Sequence, residues 1–249
     1  MVKICFCDFG GNFVNLFLHW ESMLQLKDCV FDPESPDFLF TSVFGTEQYS
    51  NPQKRIFFNF ENRLRWHWHP YKDTENMLLA VVTNKSVDYP DFAKEKVVYA
   101  PGFMLNKNML EPRKRLSLKK KFCCIVVSAQ DQGFGCFLRE NFFRKLSQYK
   151  QVDSAGKCFN NTGYFAPEGD DYFDWISQYK FMITFENSFG HGYVTEKIFN
   201  GFKGGAVPIY WCDIPAAKYY FNDFPYLSLK VVVCFSSTAV EIFLRHKQI

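Results

Sequence analysis

The sequence predicts an α/β fold built on parallel sheets in two units, and three observations carry that prediction. Short apolar runs recur along the chain, each passing into glycine, proline or polar residues, as fully buried parallel strands do. In the second half these runs alternate with helix-length segments, the pattern of strand–helix–strand crossovers. Between the halves, Glu111-Pro112-Arg113-Lys114-Arg115-Leu116-Ser117-Leu118-Lys119-Lys120-Lys121 is basic and poor in apolar residues, which marks a solvated linker. The expected division is 1–110, a linker over 111–121, and 122–249.

In chain order, Val2–Phe9 is an apolar run ahead of Gly10-Gly11, a strand entering a loop. Leu16, His19, Trp20, Met23, Leu24 and Lys27 fall on one stripe and predict a helix over 16–27. Asp37–Phe44 and Arg55–Phe60 read as strands flanking a polar turn with Asn51-Pro52, and Met77–Thr83 and Val97–Pro101 as two more. After the linker, Phe122–Ser128, Phe181–Phe185 and Ala206–Trp211 are strands. Leu138–Tyr149, Tyr172–Gln178, Thr195–Phe202 and Ile214–Phe221 are helices, with Thr238–His246 a last helix-like run.

A hydrophobic fraction of 47% against 22% charged residues excludes wholesale disorder. A net charge of +3 is too mild for a protein that coats nucleic acid, and no nucleic-acid partner is expected. The apolar run Phe122–Val127 is far short of the ~20 residues that a bilayer crossing needs. Asp8 interrupts the N-terminal apolar run where an export signal would continue. The expectation is a soluble, cytoplasmic chain without an integral membrane segment; an anchor lying outside this sequence would leave the same pattern. The nine cysteines include no C-x-x-C pair and sit largely in apolar runs, so they read as buried thiols of a reducing compartment rather than zinc ligands. Thirty phenylalanines predict an aromatic core.

The segment richest in chemistry is Phe185-Glu186-Asn187-Ser188-Phe189-Gly190-His191-Gly192-Tyr193-Val194-Thr195-Glu196-Lys197-Ile198. A strand ends at Glu186-Asn187, two glycines allow close backbone approach to a ligand, and Thr195 is placed to cap the next helix. Lys197 in a first helical turn opposes the helix dipole, which points to a bound anion such as a diphosphate. Arg139 is expected in the first turn of its own helix and invites the same reading, since a forked guanidinium suits phosphate oxygens.

This segment, with Gly204-Gly205-Ala206-Val207-Pro208-Ile209-Tyr210-Trp211 after it, resembles the donor-binding signature of the α1,3/α1,4-fucosyltransferase family. That signature runs F-E-N-S/T, a short loop, G/D-Y-V/I-T-E-K and then V-P-V/I-Y-W-G; Cys212 replaces the final glycine. Upstream, Arg55-Ile56-Phe57-Phe58-Asn59-Phe60-Glu61-Asn62 resembles the family's R-I-F-x-T-G-E-N, with Asn59 for threonine and Phe60 for glycine. Val126-Val127-Ser128 with Arg139, and Val152-Asp153-Ser154-Ala155-Gly156-Lys157 with Asn160-Asn161, resemble two further family elements near the nucleotide.

The resemblance implies a GT-B fold, two Rossmann-like lobes facing a central cleft. The first would carry the acceptor and the second GDP-β-L-fucose. It implies inverting transfer of L-fucose to a hydroxyl of an acceptor oligosaccharide or glycoconjugate, expected to be the 3-OH of GlcNAc or Glc. Glu61 and Glu196 are the implied catalytic carboxylates, and Ser128, Arg139, Asn187, Tyr193, Thr195, Glu196 and Lys197 the implied donor-binding residues. No metal and no cofactor are expected. Asp170, Asp171 and Asp174 open a helix, where carboxylates are favoured in any case. Two alternatives stay open: a non-catalytic GDP-sugar or glycan-binding protein with a degenerate acceptor lobe, and a GT-B transferase using another GDP-sugar. The oligomeric state is not legible.

Overall fold

The computed structural model describes residues 1–9, 28–42, 54–61, 77–83, 95–100, 121–128, 133–213, 215–217 and 233–235. The chain divides into two units, Met1–Lys107 and Asn108–Ile249.

The first unit holds a six-stranded, wholly parallel sheet. Its strands are β1 (Val2–Cys7), β2 (Cys29–Phe31), β3 (Phe38–Ser42), β4 (Arg55–Asn59), β5 (Leu79–Val82) and β6 (Val97–Tyr99), in the order β2-β1-β3-β4-β5-β6. Alternation along β1 puts Ile4 and Phe6 on one face and Cys5 and Cys7 on the other. Much of the phenylalanine content goes into the first face: Phe6, Phe40 and Phe58 are buried, with Phe9 and Phe60 packed against them. The Phe6 and Phe40 rings meet edge-to-face at 5.0 Å.

The second unit holds a five-stranded parallel sheet, order β11-β10-β9-β7-β8. In chain order its elements are β7 (Lys121–Ile125), α1 (Phe134–Tyr149), β8 (Val152–Ser154), α2 (Asp170–Ser177), β9 (Tyr179–Ile183), α3 (Lys197–Lys203), β10 (Val207–Trp211) and β11 (Val233–Phe235). Helices cover both faces. Leu138, Phe142 and Phe143 of α1 pack with Cys123, Ile125 and Ile183 on one side, while Trp175 and Ile176 of α2 pack with Cys124, Tyr179 and Met182 on the other. The chain runs β7 to β8, then returns to place β9 on the other side of β7. That reversal makes the carboxyl ends of β7 and β9 a topological switch point, the position at which open parallel sheets place the crevice that binds ligands.

Several expectations shift. Lys121, assigned to the linker, is the first residue of β7. The helix expected from Leu138 begins at Phe134, and Gly135 in its first turn packs against the backbone at Glu186–Asn187. Strands β2, β8 and β11 were not anticipated; each is only three residues long, too short for a period to register. The expected helices over 16–27 and 238–246, the linker over 111–120, and Asn62 lie outside the described residues, as does most of the expected helix 214–221. Cys5, Cys7, Cys123, Cys124, Cys136, Cys158 and Cys212 are buried thiols, and Cys29 is a half-buried one. Burial pushes the Cys123 thiol up to about 12. No helix among the described residues is long and apolar enough to cross a membrane.

Candidate active site

The crevice between β7 and β9 collects the segments that the sequence singles out. Ser128 is exposed just beyond β7. The first turn of α1 lies against the chain just past β9: a Cβ built on Gly135 would stand 2.5 Å from the Asn187 carbonyl carbon, so only glycine permits this approach. Cys136 follows, its thiol 3.6 Å from the Asn187 carbonyl oxygen. Arg139 is buried at 2% exposure, with Nη2 3.5 Å from the Cys136 sulfur. Arg139 is therefore one turn deeper in its helix than expected. The argument from an opposed dipole in the first turn does not apply to it, because that effect fades beyond one turn. What the structure does provide is proximity, through Cys136, to Asn187.

Glu186 organises the rest. It has no exposed surface, and a carboxylate so placed needs every lone pair engaged. Oε1 accepts from the Thr195 amide at 2.8 Å and the Tyr210 hydroxyl at 2.7 Å, and Oε2 accepts from the Thr195 hydroxyl at 2.7 Å. Lys197 Nζ lies 3.3 Å from Oε2. These bonds correct the expected cap: the residue before α3 is Glu196, without a side-chain cap, and Thr195 turns its hydroxyl to Glu186 instead. Burial of the Tyr210 phenol, next to Cys212 and Glu186, holds its pKa well above the ordinary value, so it stays a donor.

Lys197 is the first residue of α3. Its ammonium contacts Glu186, Glu196 at 3.4 Å and the Thr195 hydroxyl at 2.9 Å. Burial pushes its pKa down, but the two carboxylates outweigh burial and the net shift is upward. The cost of a cation at a helix start is thus offset within the protein, and the dipole alone does not require a bound anion. Glu196 is half-exposed. Partial desolvation by its neighbours raises its pKa, Lys197 overrides that, and the net shift is downward. The contact with Glu186 is internal, and the contact with Glu196 is at the surface.

Between Glu186 and Thr195 the chain makes a loop. Asn187 Oδ1 accepts from the Ser188 hydroxyl at 2.9 Å and from the Tyr193 hydroxyl at 3.3 Å, and both Asn187 and Tyr193 are buried. The tip is a turn in which the Tyr193 amide donates to the Gly190 carbonyl at 2.9 Å. Gly192 takes φ +81° there, the third position of a type II turn, which favours glycine. Beside β7, Asn161 accepts from the Ser154 amide at 2.7 Å and donates to the Val152 carbonyl at 2.9 Å, fixing the Val152–Asn161 loop.

Glu61 belongs to the first unit, half-buried just past the carboxyl end of β4. Its amide donates to Asn59 Oδ1 at 3.0 Å, and the buried Asn59 thereby shapes the turn. Phe60, where the family pattern has glycine, keeps an ordinary negative φ and packs on Phe58 with ring centroids 5.9 Å apart. The backbone here does not require glycine.

Sequence reasoning missed the residues that support these groups. Cys136 and Asp213 lie outside the motif residues they hold, Tyr210 stood in the signature without a role, and Glu186 was read as a strand end rather than as a hub. The alternation within β10, which puts Tyr210 on the face opposite Ile209 and Trp211, was the one available signal.

Residues 116–239 match the family model described as Glycosyltransferase family 10 (fucosyltransferase) C-term. The chain belongs to glycosyltransferase family 10. Among relatives, a protein of Acanthamoeba polyphaga mimivirus named as a fucosyltransferase, R654, is 30% identical over 183 residues, 61% of this chain and 29% of the relative. The α-(1,3)-fucosyltransferase FucT of Helicobacter pylori is 34% identical over 107 residues, 39% of this chain and 22% of FucT. GDP-fucose protein O-fucosyltransferase 3 of Danio rerio is 36% identical over 80 residues, 29% of this chain and 18% of the relative. These matches span less than a third of each relative's length. The crystal structure of an α1,3-fucosyltransferase with GDP-fucose superimposes with TM-score 0.67 at 21% identity, covering 99% of this chain and 79% of the other. That likeness identifies the two parallel-sheet units as a GT-B fold.

Proposed function

We propose that this family 10 protein transfers L-fucose from GDP-β-L-fucose to a hydroxyl of an acceptor glycan, with inversion at the sugar carbon. The observation that carries the reading is the convergence of Arg139, Asn187, Tyr193, Glu196 and Lys197 around the β7–β9 crevice, on the segment that matches the family. The diphosphate takes up Arg139 and Lys197. Lys197 keeps its internal bond to Glu186 and exchanges Glu196 for phosphate oxygens, which frees the Glu196 carboxylate for hydroxyls of the sugar or ribose. Asn187 and Tyr193 line the pocket, and Ser128 and Thr195 bound it. As the glycosidic bond breaks, charge gathers on the departing GDP, and the two cations stabilise it most at that point. Glu61, as general base, takes the proton of the attacking hydroxyl.

The acceptor proposed is the 3-OH of GlcNAc or Glc. The test is transfer of label from GDP-fucose across an arrayed set of glycans and glycoproteins, with GDP-mannose as competing donor. Labelled product from GDP-fucose supports the reading; turnover with GDP-mannose alone, or binding without transfer, refutes it. No divalent metal takes part in this proposal, since the two side-chain cations do the charge neutralisation. Activity is expected to persist in excess chelator, and full, metal-reversible loss would contradict that.

A further inference from the structure

We infer that Asp213 is a positioning residue for the donor site, its buried carboxylate pinning the tip of the Asn187–Val194 loop; the role assigned to it rests on the donor-binding reading above. Asp213 follows β10 by two residues and is only 8% exposed. Its Oδ2 accepts the Gly192 amide at 3.0 Å. Its own carbonyl accepts the Ala217 amide at 3.0 Å, so the backbone that carries the carboxylate is itself tied into the helical turn at 215–217. His191 Nδ1 stands 4.0 Å from the same oxygen and is 69% exposed, too far for a hydrogen bond. The directed contact is with the Gly192 amide.

This contact sits where the loop most needs one. Glu186 closes the base of the loop on Thr195, and the Asn187–Tyr193 bond spans its middle. The tip holds Gly190 and Gly192 around one residue, and glycines lose the most conformational freedom when a chain is ordered. Gly192 immediately precedes Tyr193, whose hydroxyl reaches Asn187 Oδ1. The position of the Gly192 amide therefore sets both side chains proposed to line the donor pocket. A bond from a neutral amide to a charged carboxylate is about twice as strong as a neutral pair. Without an acceptor the amide would be left in a buried site with nothing to bond, so the turn would open to water.

Two substitutions separate acceptor from charge. Asp213→Ala removes the acceptor, and Asp213→Asn keeps a carbonyl oxygen at the same reach. In the ligand-free full chain, hydrogen exchange at the Gly192 and Tyr193 amides is expected to quicken at least ~10-fold in Asp213→Ala, the scale of one such bond, while β7 and α1 keep their protection. The KM for GDP-fucose and the dissociation constant for GDP rise about 10-fold in Asp213→Ala, with kcat within roughly 3-fold of wild type; Asp213→Asn restores both constants to within roughly 3-fold. Unchanged exchange in Asp213→Ala refutes the clamp. A kcat that collapses equally in both variants refutes positioning and makes the charge catalytic. Wild-type protein that binds no GDP while Gly192 stays protected refutes the donor reading, and the donor-positioning role with it.

Discussion

Glu186 and Glu61 illustrate two ways of holding a carboxylate. Glu186 is wholly buried and saturated by Thr195, Tyr210 and Lys197, which suits a fixed support and leaves no lone pair for a substrate. Glu61 is half-buried, and the bond from its amide to Asn59 Oδ1 sets the backbone that carries the proposed base. Glu61→Gln should therefore lower turnover by ~100-fold or more while GDP binds as in wild type, measured by initial rates and calorimetry on one preparation. Glu196 yields a pH prediction. Its folded-state pKa lies below the ordinary value, so its ion pair with Lys197 contributes stability above the ordinary glutamate range and loses it as pH falls through the folded value. Glu196→Gln should lower the neutral plateau of a thermal-midpoint profile slightly and meet the wild-type curve as pH falls below about 4.5, so that its acid limb is flatter. An unchanged acid limb would remove Glu196 from that pairing.

At the scale of elements, the segments of the candidate site meet because α1 comes within backbone distance of the chain leaving β9. Gly135 makes that possible. Gly135→Ala would force the helix or the Glu186–Asn187 segment to shift, at a cost of about 1–3 kcal/mol typical of overpacking, read as a lower urea midpoint together with weaker GDP binding. At the far end of the same strands, Lys121, Asp153 and Tyr179 join β7, β8 and β9 by bonds of 2.8–3.1 Å. The sheet is thus tied at the edge opposite the crevice. Much of this was legible in the sequence. Strands β1, β3, β4, β5, β7, β9 and β10 follow from buried apolar runs, and the crevice segment from its glycines and charges. Element boundaries were less so, since Phe134-Gly135-Cys136 looks like loop until the backbone it packs against is known. The supports of the site were hidden for the same reason: the Tyr210–Glu186 and Asp213–Gly192 bonds join residues 24 and 21 positions apart, and no local pattern encodes them.

At the scale of the molecule, chemistry is divided between the units. The first carries the proposed base on the carboxyl edge of its sheet, and the second carries the proposed diphosphate site at its strand reversal. Both sheets are parallel and both place these residues beyond strand ends, the arrangement that lets loops vary while the scaffold stays. The central claim is that the second unit grips a diphosphate through Lys197 and Arg139. Calorimetric titration of the full chain with GDP and with GMP tests it most directly, because the two ligands differ only in the phosphate those cations would hold. GDP should bind at least ~10-fold more tightly than GMP, about 1.4 kcal/mol, and Lys197→Met should erase most of that preference. Equal affinity for the two nucleotides, or a preference that survives Lys197→Met undiminished, would contradict the account.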